Sequence, residues 1–155
     1  MKKIKLYNTN KYILVDDSDF IYLNQFRWIS RRGYPARHIQ NYPQKYKYIH
    51  HEILNTNLLI DHIDGNILNN QRLNLRIADK SQNSMNCKIH KHNTTGFKGV
   101  SKCGNKYRAY IVKNNKQIHI GCYKTAQEAA DAYDKKALEI FKNFARTNKR
   151  IYEEN

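Results

Sequence analysis

The chain has 155 residues and a formal net charge of +15, with 28 Lys and Arg against 13 Asp and Glu. Residues 1–60 carry 10 basic and 4 acidic residues, residues 61–95 carry 5 and 3, and residues 96–155 carry 13 and 6. This even spread excludes a neutral domain with a basic tail and favours a polyanionic partner, above all nucleic acid. The absence of a long apolar run or a signal-peptide core predicts a soluble, intracellular protein. Cys87, Cys103 and Cys122 are far apart, which predicts reduced thiols rather than disulfides or a Cys-rich zinc site.

The chain divides into segments of different pattern. Residues 1–47 are typical of short strands and turns, so we expect a small β-rich segment. A short helix is expected to start at His50, a short strand at residues 59–63 and another helix at residues 78–86. Residues 88–95 are polar and unpatterned, which indicates a linker.

A group of carboxylate, imidazole and amide side chains follows the strand at residues 59–63. Its members are Asp61, His62, Asp64, Asn66, Asn69, Asn70, Asn74, Arg76, Gln82 and Asn83. A neutral His can take a proton from water near pH 7, and carboxylate and amide oxygens suit a hard divalent cation. We therefore expect His62 to act as general base and Asp61 and Asn83 to bind a metal, with Asn74 tying the loop together and orienting the imidazole. Asp64 and Asn66 are expected to form the turn.

This group resembles the motif of HNH endonucleases, in the branch found in phages and self-splicing introns. The similarity runs from about Tyr48 to Asn86 and includes His50, which falls on a His that often precedes the motif. It implies a ββα-metal fold, Mg²⁺ (or Mn²⁺) on Asp61 and Asn83, His62 as base and Asn74 as the structural middle residue. His50, His51 and Arg76 are possible accessory residues. Asn83 stands where many relatives have His, and Gln71 where an Arg is ordinary.

The C-terminal third has a different pattern. Three strands are expected at residues 96–101, 106–112 and 117–121, followed by a helix from a Thr125–Glu128 capping box to about Phe141. Alternation predicts an apolar sheet face against the helix and an opposite face that contacts DNA. The residues expected to contact DNA are Lys98, Ser101, Lys102, Arg108, Tyr110, Val112, Gln117 and His119.

Residues 95–148 resemble the Apetala/ethylene-response-factor DNA-binding domain, which is often joined to HNH homing endonucleases. The similarity is carried by Gly96–Val100, Lys106–Ala109, Ile118–Tyr123, Glu128–Asp134 and Phe144–Asn148. Ser101, Val112 and His119 differ from the Arg and Trp residues of the plant domains, so base preference is not implied.

Together these features predict an α+β protein with three regions. They are a nuclease domain at residues 1–87 (a β-rich segment at 1–47 and an HNH core at 48–87), a linker at 88–95 and a DNA-binding domain at 96–150. The expected function is that of a metal-dependent homing or nicking endonuclease acting on double-stranded DNA, as monomer or dimer, in the host cytoplasm of a phage or other mobile element. The alternatives are a non-catalytic, regulatory DNA-binding protein with a degenerate HNH site, and an RNA-binding module.

Overall fold

The computed structural model describes residues 1–40, 43, 45–87, 89 and 92–153. These residues form short helices and four small antiparallel sheets, so the predicted α+β class is confirmed. The chain makes two compact units, Met1–Ala78 and Asp79–Asn155. The break precedes the predicted boundary at residue 87, and residues 88, 90 and 91 of the expected linker lie outside the described residues. No helix in the described ranges has the length and apolar composition needed to cross a membrane.

The first unit contains seven strands and two helices among its described residues. They are β1 (Lys2–Lys5), β2 (Tyr12–Val15), α1 (Asp17–Leu23), β3 (Ile29–Arg31), β4 (Tyr34–Gln40), β5 (Lys45–Tyr48), α2 (Ile49–Ile53), β6 (Ile60–His62) and β7 (Leu75–Ile77). Strand β1 pairs with β2, the strands β3, β4 and β5 form a sheet in that order, and β6 pairs with β7. A 3₁₀ turn at Arg72–Asn74 leads into β7.

One hydrophobic core joins the N-terminal strands to the segment that carries the polar motif. Ile13, Trp28 and Ile49 are fully buried in it, together with Ile60 and Leu75 from β6 and β7. The Trp28 indole donates to the backbone carbonyl of Leu23, which satisfies its one polar atom. Residues 1–47 therefore complete the unit that contains the motif, a role that the sequence left open.

The second unit contains α3 (Lys80–Met85), β8 (Val100–Cys103), β9 (Lys106–Lys113), β10 (Lys116–Tyr123), α4 (Ala126–Phe141) and α5 (Asn148–Glu153). The three strands form an antiparallel sheet with β9 in the centre. Asp79 and Gln82 make a capping box at the start of α3, and Thr125 and Glu128 make the predicted one at the start of α4. The predicted end of this helix at Phe141 is confirmed.

Small residues of α4 let the helix lie close to the sheet. Ala129 and Ala130 are buried with Val100 and Ala109, and Ala137 lies in a second cluster with Ile111. Gly99 has a φ of +71°, and a Cβ there would overlap the Tyr133 ring and the Tyr110 carbonyl. This turn delays the first strand to Val100, so the prediction that it begins at residue 96 was wrong.

Candidate active site

Asp61 and His62 lie on the short strand β6. Asp61 is directly opposite Arg76 of β7, and His62 is opposite Leu75. Both side chains are buried, with 4% and 5% of their surface exposed. Neighbours on a strand point to opposite faces, so the carboxylate and the imidazole have different hydrogen-bond partners. They are still close enough for the charge of Asp61 to act on the imidazole.

The Asp61 carboxylate forms an ion pair with Arg76. Nε and a terminal nitrogen of the guanidinium both donate to Oδ2, at 2.8 and 2.7 Å. Both side chains are largely buried, so this is a desolvated contact rather than a loose surface pair. The sequence pattern indicated Arg76 only as an accessory residue. The pair orients the carboxylate. It also places beside it a positive charge that would compete with a metal ion for the carboxylate oxygens.

The His62 imidazole contacts Asn70, a residue to which the sequence pattern gave no role. Asn70 is completely buried, and its Nδ2 donates to the Ile67 carbonyl at 3.1 Å. Its Oδ1 therefore faces Nε2 of His62, 3.2 Å away, as the acceptor. An imidazole that donates through Nε2–H carries its lone pair on Nδ1 when neutral.

The loop that carries Asn70 is anchored by β2. Asn70 N–H donates to the Leu14 carbonyl and Leu14 N–H donates to the Leu68 carbonyl, both at 2.8 Å. Nearby, Asp16 accepts hydrogen bonds from Gln71 Nε2 and the Arg72 N–H. The N-terminal strands thus fix the acceptor that orients His62, a relation that spans more than 50 residues of sequence.

Electrostatics favour a neutral His62. Burial lowers the pKa of His62 and outweighs the hydrogen bond to Asn70 and the charges of Asp64 and Asp61, which raise it. A neutral imidazole is the form that accepts a proton.

Asn74 ties together the turn that follows His62. Its Oδ1 accepts from Asp64 N–H at 3.0 Å, and its Nδ2 donates to Asp64 Oδ1 and to the Asn69 carbonyl at 2.9 and 2.8 Å. Asp64 also accepts from the N–H of Asn66, as expected of turn residues. Burial opposes ionisation of Asp64, but hydrogen bonds from Asn66, Asn69 and Asn74 prevail and lower its pKa. These contacts of Asn74 bind the loop, and the contact to the imidazole comes from Asn70.

His50 belongs to a group of rings that contacts His62. Its ring stacks on Tyr48 at 5.7 Å and meets the His62 ring edge-on at 5.5 Å between centroids. Its Nδ1 is buried, with no hydrogen-bond partner among the described residues. Burial, reinforced by His51 and His62, lowers the pKa of His50 to about 3. His51 differs, because its Nδ1 lies 2.7 Å from the carbonyl of Thr56, which follows α2 in the chain.

Asn83, the second expected metal ligand, is half-buried on α3 in the second unit. Its own carbonyl accepts from the Cys87 thiol and its N–H donates to Asp79. No group of three or more His, Cys, Asp or Glu side chains in the described ranges is arranged to hold a metal ion. A cation would therefore depend on the single carboxylate of Asp61, on amide oxygens and on the substrate.

The expected DNA-contacting residues of the second unit lie at three kinds of position: on the sheet face away from α4, on the helix side of the sheet, and before β8. Arg108, Tyr110 and Val112 of β9 share the sheet face away from α4 with the residues opposite them, which are Ser101, His119 and Gln117. Val112, Gln117 and His119 are exposed, and the other three are half-buried. Arg108 lies toward the Tyr110 ring, with its Cζ 5.8 Å from the centroid.

Two of the residues predicted to contact DNA do not lie on the sheet face away from α4, which corrects their predicted position. Lys102 is opposite Tyr107, whose ring packs on the Val100–Ala109 cluster, so Lys102 lies on the helix side of the sheet. Lys98 precedes β8, and its ammonium donates to the carbonyls of Met85 and Cys87. Burial lowers the pKa of Lys98 to about 8. The ammonium therefore caps the C-terminal end of α3 and does not lie on the sheet face away from α4.

Comparison with known proteins gives two relatives. The uncharacterized HNH endonuclease L560 of Acanthamoeba polyphaga mimivirus is 35% identical over 133 residues, which cover 82% of this chain and 69% of the viral protein. Protein 3.8 of Escherichia phage T7 is 57% identical over 42 residues, which cover 27% of this chain and 35% of the phage protein. No family model matches the chain, and no solved structure matches it.

The identity to the mimivirus protein extends over most of both chains. This coverage of both chains and the level of identity identify the family. The chain belongs to the HNH endonuclease family.

Proposed function

We propose that the protein is a metal-dependent endonuclease that hydrolyses phosphodiester bonds of double-stranded DNA. The observation that carries the proposal is the buried His62, oriented by Asn70 and next in sequence to the carboxylate of Asp61. Family membership supports a nuclease role, and the viral and phage relatives support an origin in a virus or other mobile element that acts inside its host. The order β6, β7, α3 is the order of a ββα-metal fold.

In this proposal His62 removes the proton from the attacking water. Nε2 is engaged with Asn70, so Nδ1 is the atom that accepts the proton. A positioned base of this kind contributes roughly 10²–10⁴-fold to rate. Asn74 fixes the turn that follows His62, and Asn70 holds the imidazole ring itself.

Asp61, with Asn83 as assigned by motif spacing, would hold the cation, most simply Mg²⁺ with Mn²⁺ as substitute. Their hard oxygen donors fit such an ion, and with one carboxylate its affinity without DNA should be weak. When bound, the ion polarises the phosphate and stabilises the leaving oxygen. Arg76 holds the Asp61 carboxylate in place and balances its charge until substrate arrives.

The second unit is proposed to select the DNA site. Its three-stranded antiparallel sheet, with α4 packed on one face, supports the similarity to the Apetala/ethylene-response-factor domain. The contacts would come from the sheet face away from α4. On this face Val112, Gln117 and His119 are exposed, and Arg108 and Tyr110 are half-buried. A monomer would nick one strand, whereas a dimer could cut both.

A second candidate is a DNA-binding protein without catalysis. The ion pair between Asp61 and Arg76 favours it, because a structural Asp would be satisfied in the same way. Cleavage of supercoiled plasmid with and without Mg²⁺, in wild type and in His62→Ala, separates the two. The nuclease requires Mg²⁺-dependent cleavage that His62→Ala abolishes while DNA binding persists.

A further inference from the structure

The β3–β4 hairpin and β5 carry unbalanced positive charge. Between Asp19 and Glu52 the sequence has six Lys and Arg residues and no Asp or Glu. Among the residues that the structure describes, Arg31 and Arg32 are in no ion pair, whereas Arg37, Arg72 and Arg76 each contact a carboxylate. Two guanidinium groups on this hairpin are thus available to an anionic partner.

The register of the sheet collects cationic and aromatic side chains on one face. Arg31 is opposite Tyr34, and His38 is opposite Tyr46, so these four side chains project to the same side. Arg37 and Lys47, which are opposite each other, project to the other side. We call the first group, together with Arg32 at the turn, the basic hairpin face.

Aromatic rings hold Arg31 in a defined orientation. Its Cζ lies 3.8 Å from the centroid of the Tyr46 ring, and the Tyr46 ring is 4.3 Å from the His38 ring. A guanidinium held over a ring is ordered in advance and still has N–H groups to donate to a phosphate. The entropy lost on binding is therefore smaller than for a mobile surface Arg.

Tyr34 connects this face to the candidate active site. Its ring centroid is 6.4 Å from that of His62 and 5.7 Å from that of His50, and 39% of the residue is exposed. A DNA strand that lies along the basic hairpin face would thus pass close to the imidazole.

The turn of the hairpin has an unfavourable residue at its first position. Arg32 and Gly33 have φ values of 52° and 90°, as in a type I′ turn, where Asn-Gly is the preferred pair. Gly33 is constrained by both φ and space, since a Cβ there would lie 3.3 Å from Ile67 of the motif loop. Arg at a positive φ costs stability relative to the Asn that this turn prefers.

We propose that the basic hairpin face binds the phosphates of the DNA strand beside the cleaved bond. This inference rests on the proposed nuclease function and assigns DNA contacts to the first unit in addition to those of the second. Arg31 and Arg32 contact phosphates, and Tyr34 packs against the sugar or base next to the scissile phosphate. The interaction is largely independent of sequence, because phosphate contacts carry no base information.

The test is DNA binding by the full-length chain in EDTA, where hydrolysis does not intervene. Fluorescence anisotropy with a labelled duplex is measured across a salt series for wild type, Arg31→Gln, Arg32→Asn and the matched control Lys47→Gln on the opposite sheet face. Each Arg variant is expected to reduce the magnitude of the slope of log K against log salt by about 1 and to weaken binding roughly three- to tenfold. Lys47→Gln is expected to bind like wild type.

Arg32→Asn adds a test that separates binding from folding. Asn suits a positive φ better than Arg, so the variant should melt at the same or a higher temperature while it binds DNA less tightly. Weaker binding together with lower stability would indicate a structural role and overturn the proposal.

The two proposals fail in different ways. Wild-type DNA binding by both Arg variants would refute the hairpin contacts, while Mg²⁺-dependent cleavage that is lost in His62→Ala would still support the nuclease function. If the Arg variants keep DNA binding but lose retention on immobilised polyglutamate, the face serves an acidic protein and the DNA assignment is wrong.

Discussion

Asn70 Oδ1 lies 3.2 Å from Nε2 of His62, and both side chains are buried. The orientation of the amide is set on its far side by the bond from Nδ2 to the Ile67 carbonyl. Asn70 thereby selects one tautomer of His62 and directs its lone pair to Nδ1. This contact connects the N-terminal strands, through Leu14, to the proposed chemistry.

Asn70→Ala should impair catalysis by releasing the imidazole. Without the acceptor the ring can rotate and its tautomer is no longer selected, so we expect about a 10²-fold loss of kcat. Two-dimensional ¹⁵N–¹H spectra should show His62 protonated on Nε2 in the wild type and as a tautomer mixture in the variant. Asn57→Ala, at an exposed position, is the control and should cleave normally. An unchanged His62 tautomer in Asn70→Ala would contradict this role.

Arg76→Ala should make stability depend on metal. Removing one member of a buried ion pair costs about 3–5 kcal/mol, because the Asp61 carboxylate loses its counter-charge. Added Mg²⁺ should restore part of that loss if Asp61 is a metal ligand, since binding to the folded state stabilises it. The measurement is the melting temperature of wild type and variant at increasing Mg²⁺. If the melting temperature of the variant does not change with added Mg²⁺, the non-catalytic alternative is favoured.

The first unit should lose stability in mild acid because of His50. Its pKa of about 3 in the folded chain lies below the unfolded value of about 6.5. The unfolded state therefore binds the proton first, and the stabilisation present above pH 6.5 is lost as pH falls toward 3. At pH 5 the loss is about 2 kcal/mol.

His50→Gln tests this assignment, because Gln does not titrate. Urea unfolding at pH 7 and pH 5 should show a smaller difference for the variant than for the wild type. An equal pH dependence in both proteins would mean that His50 does not cause it. The comparison between the two cancels the contribution of the other titrating groups.

Sequence spacing predicted the turn at Asp64 and Asn66 and the loop contacts of Asn74, because these hydrogen bonds are local. It missed the roles of Asn70 and Arg76, since these depend on pairing with β2 and on the β6–β7 register. Alternation placed Ala109 and Ile111 correctly toward α4. It misplaced Lys98, because the positive φ values of Gly96 and Gly99 bend the chain before β8 and shift the start of the strand. Lys102 was misplaced for a different reason: it follows Ser101 within β8, so alternation puts it on the opposite face.

Lys98→Met should act on the second unit's stability rather than directly on DNA. The variant leaves the carbonyls of Met85 and Cys87 without their ammonium donor, which costs about 1–3 kcal/mol. The salt slope of DNA binding should stay as in the wild type, because this ammonium is engaged by two carbonyls of its own chain. A reduced slope with unchanged stability would restore Lys98 as a DNA contact.

DNA binding by the wild type should depend steeply on salt. If about six phosphates are neutralised, log K falls with a slope of roughly −5 against log salt.

Arg108→Ala, on the sheet face away from α4, should weaken DNA binding without changing the Mg²⁺ requirement of cleavage. Measuring duplex DNA and RNA side by side also tests the RNA-binding alternative, which requires tighter binding to RNA.

The most direct measurement is cleavage of supercoiled plasmid by wild type and His62→Ala with and without Mg²⁺. The wild type should convert the plasmid to nicked or linear DNA only with Mg²⁺, and His62→Ala should bind DNA with wild-type affinity and leave it uncut. Equal cleavage by both proteins would contradict the assignment of His62 as the base. A wild type that binds DNA and never cuts it, whatever divalent metal is added, would contradict the nuclease function itself.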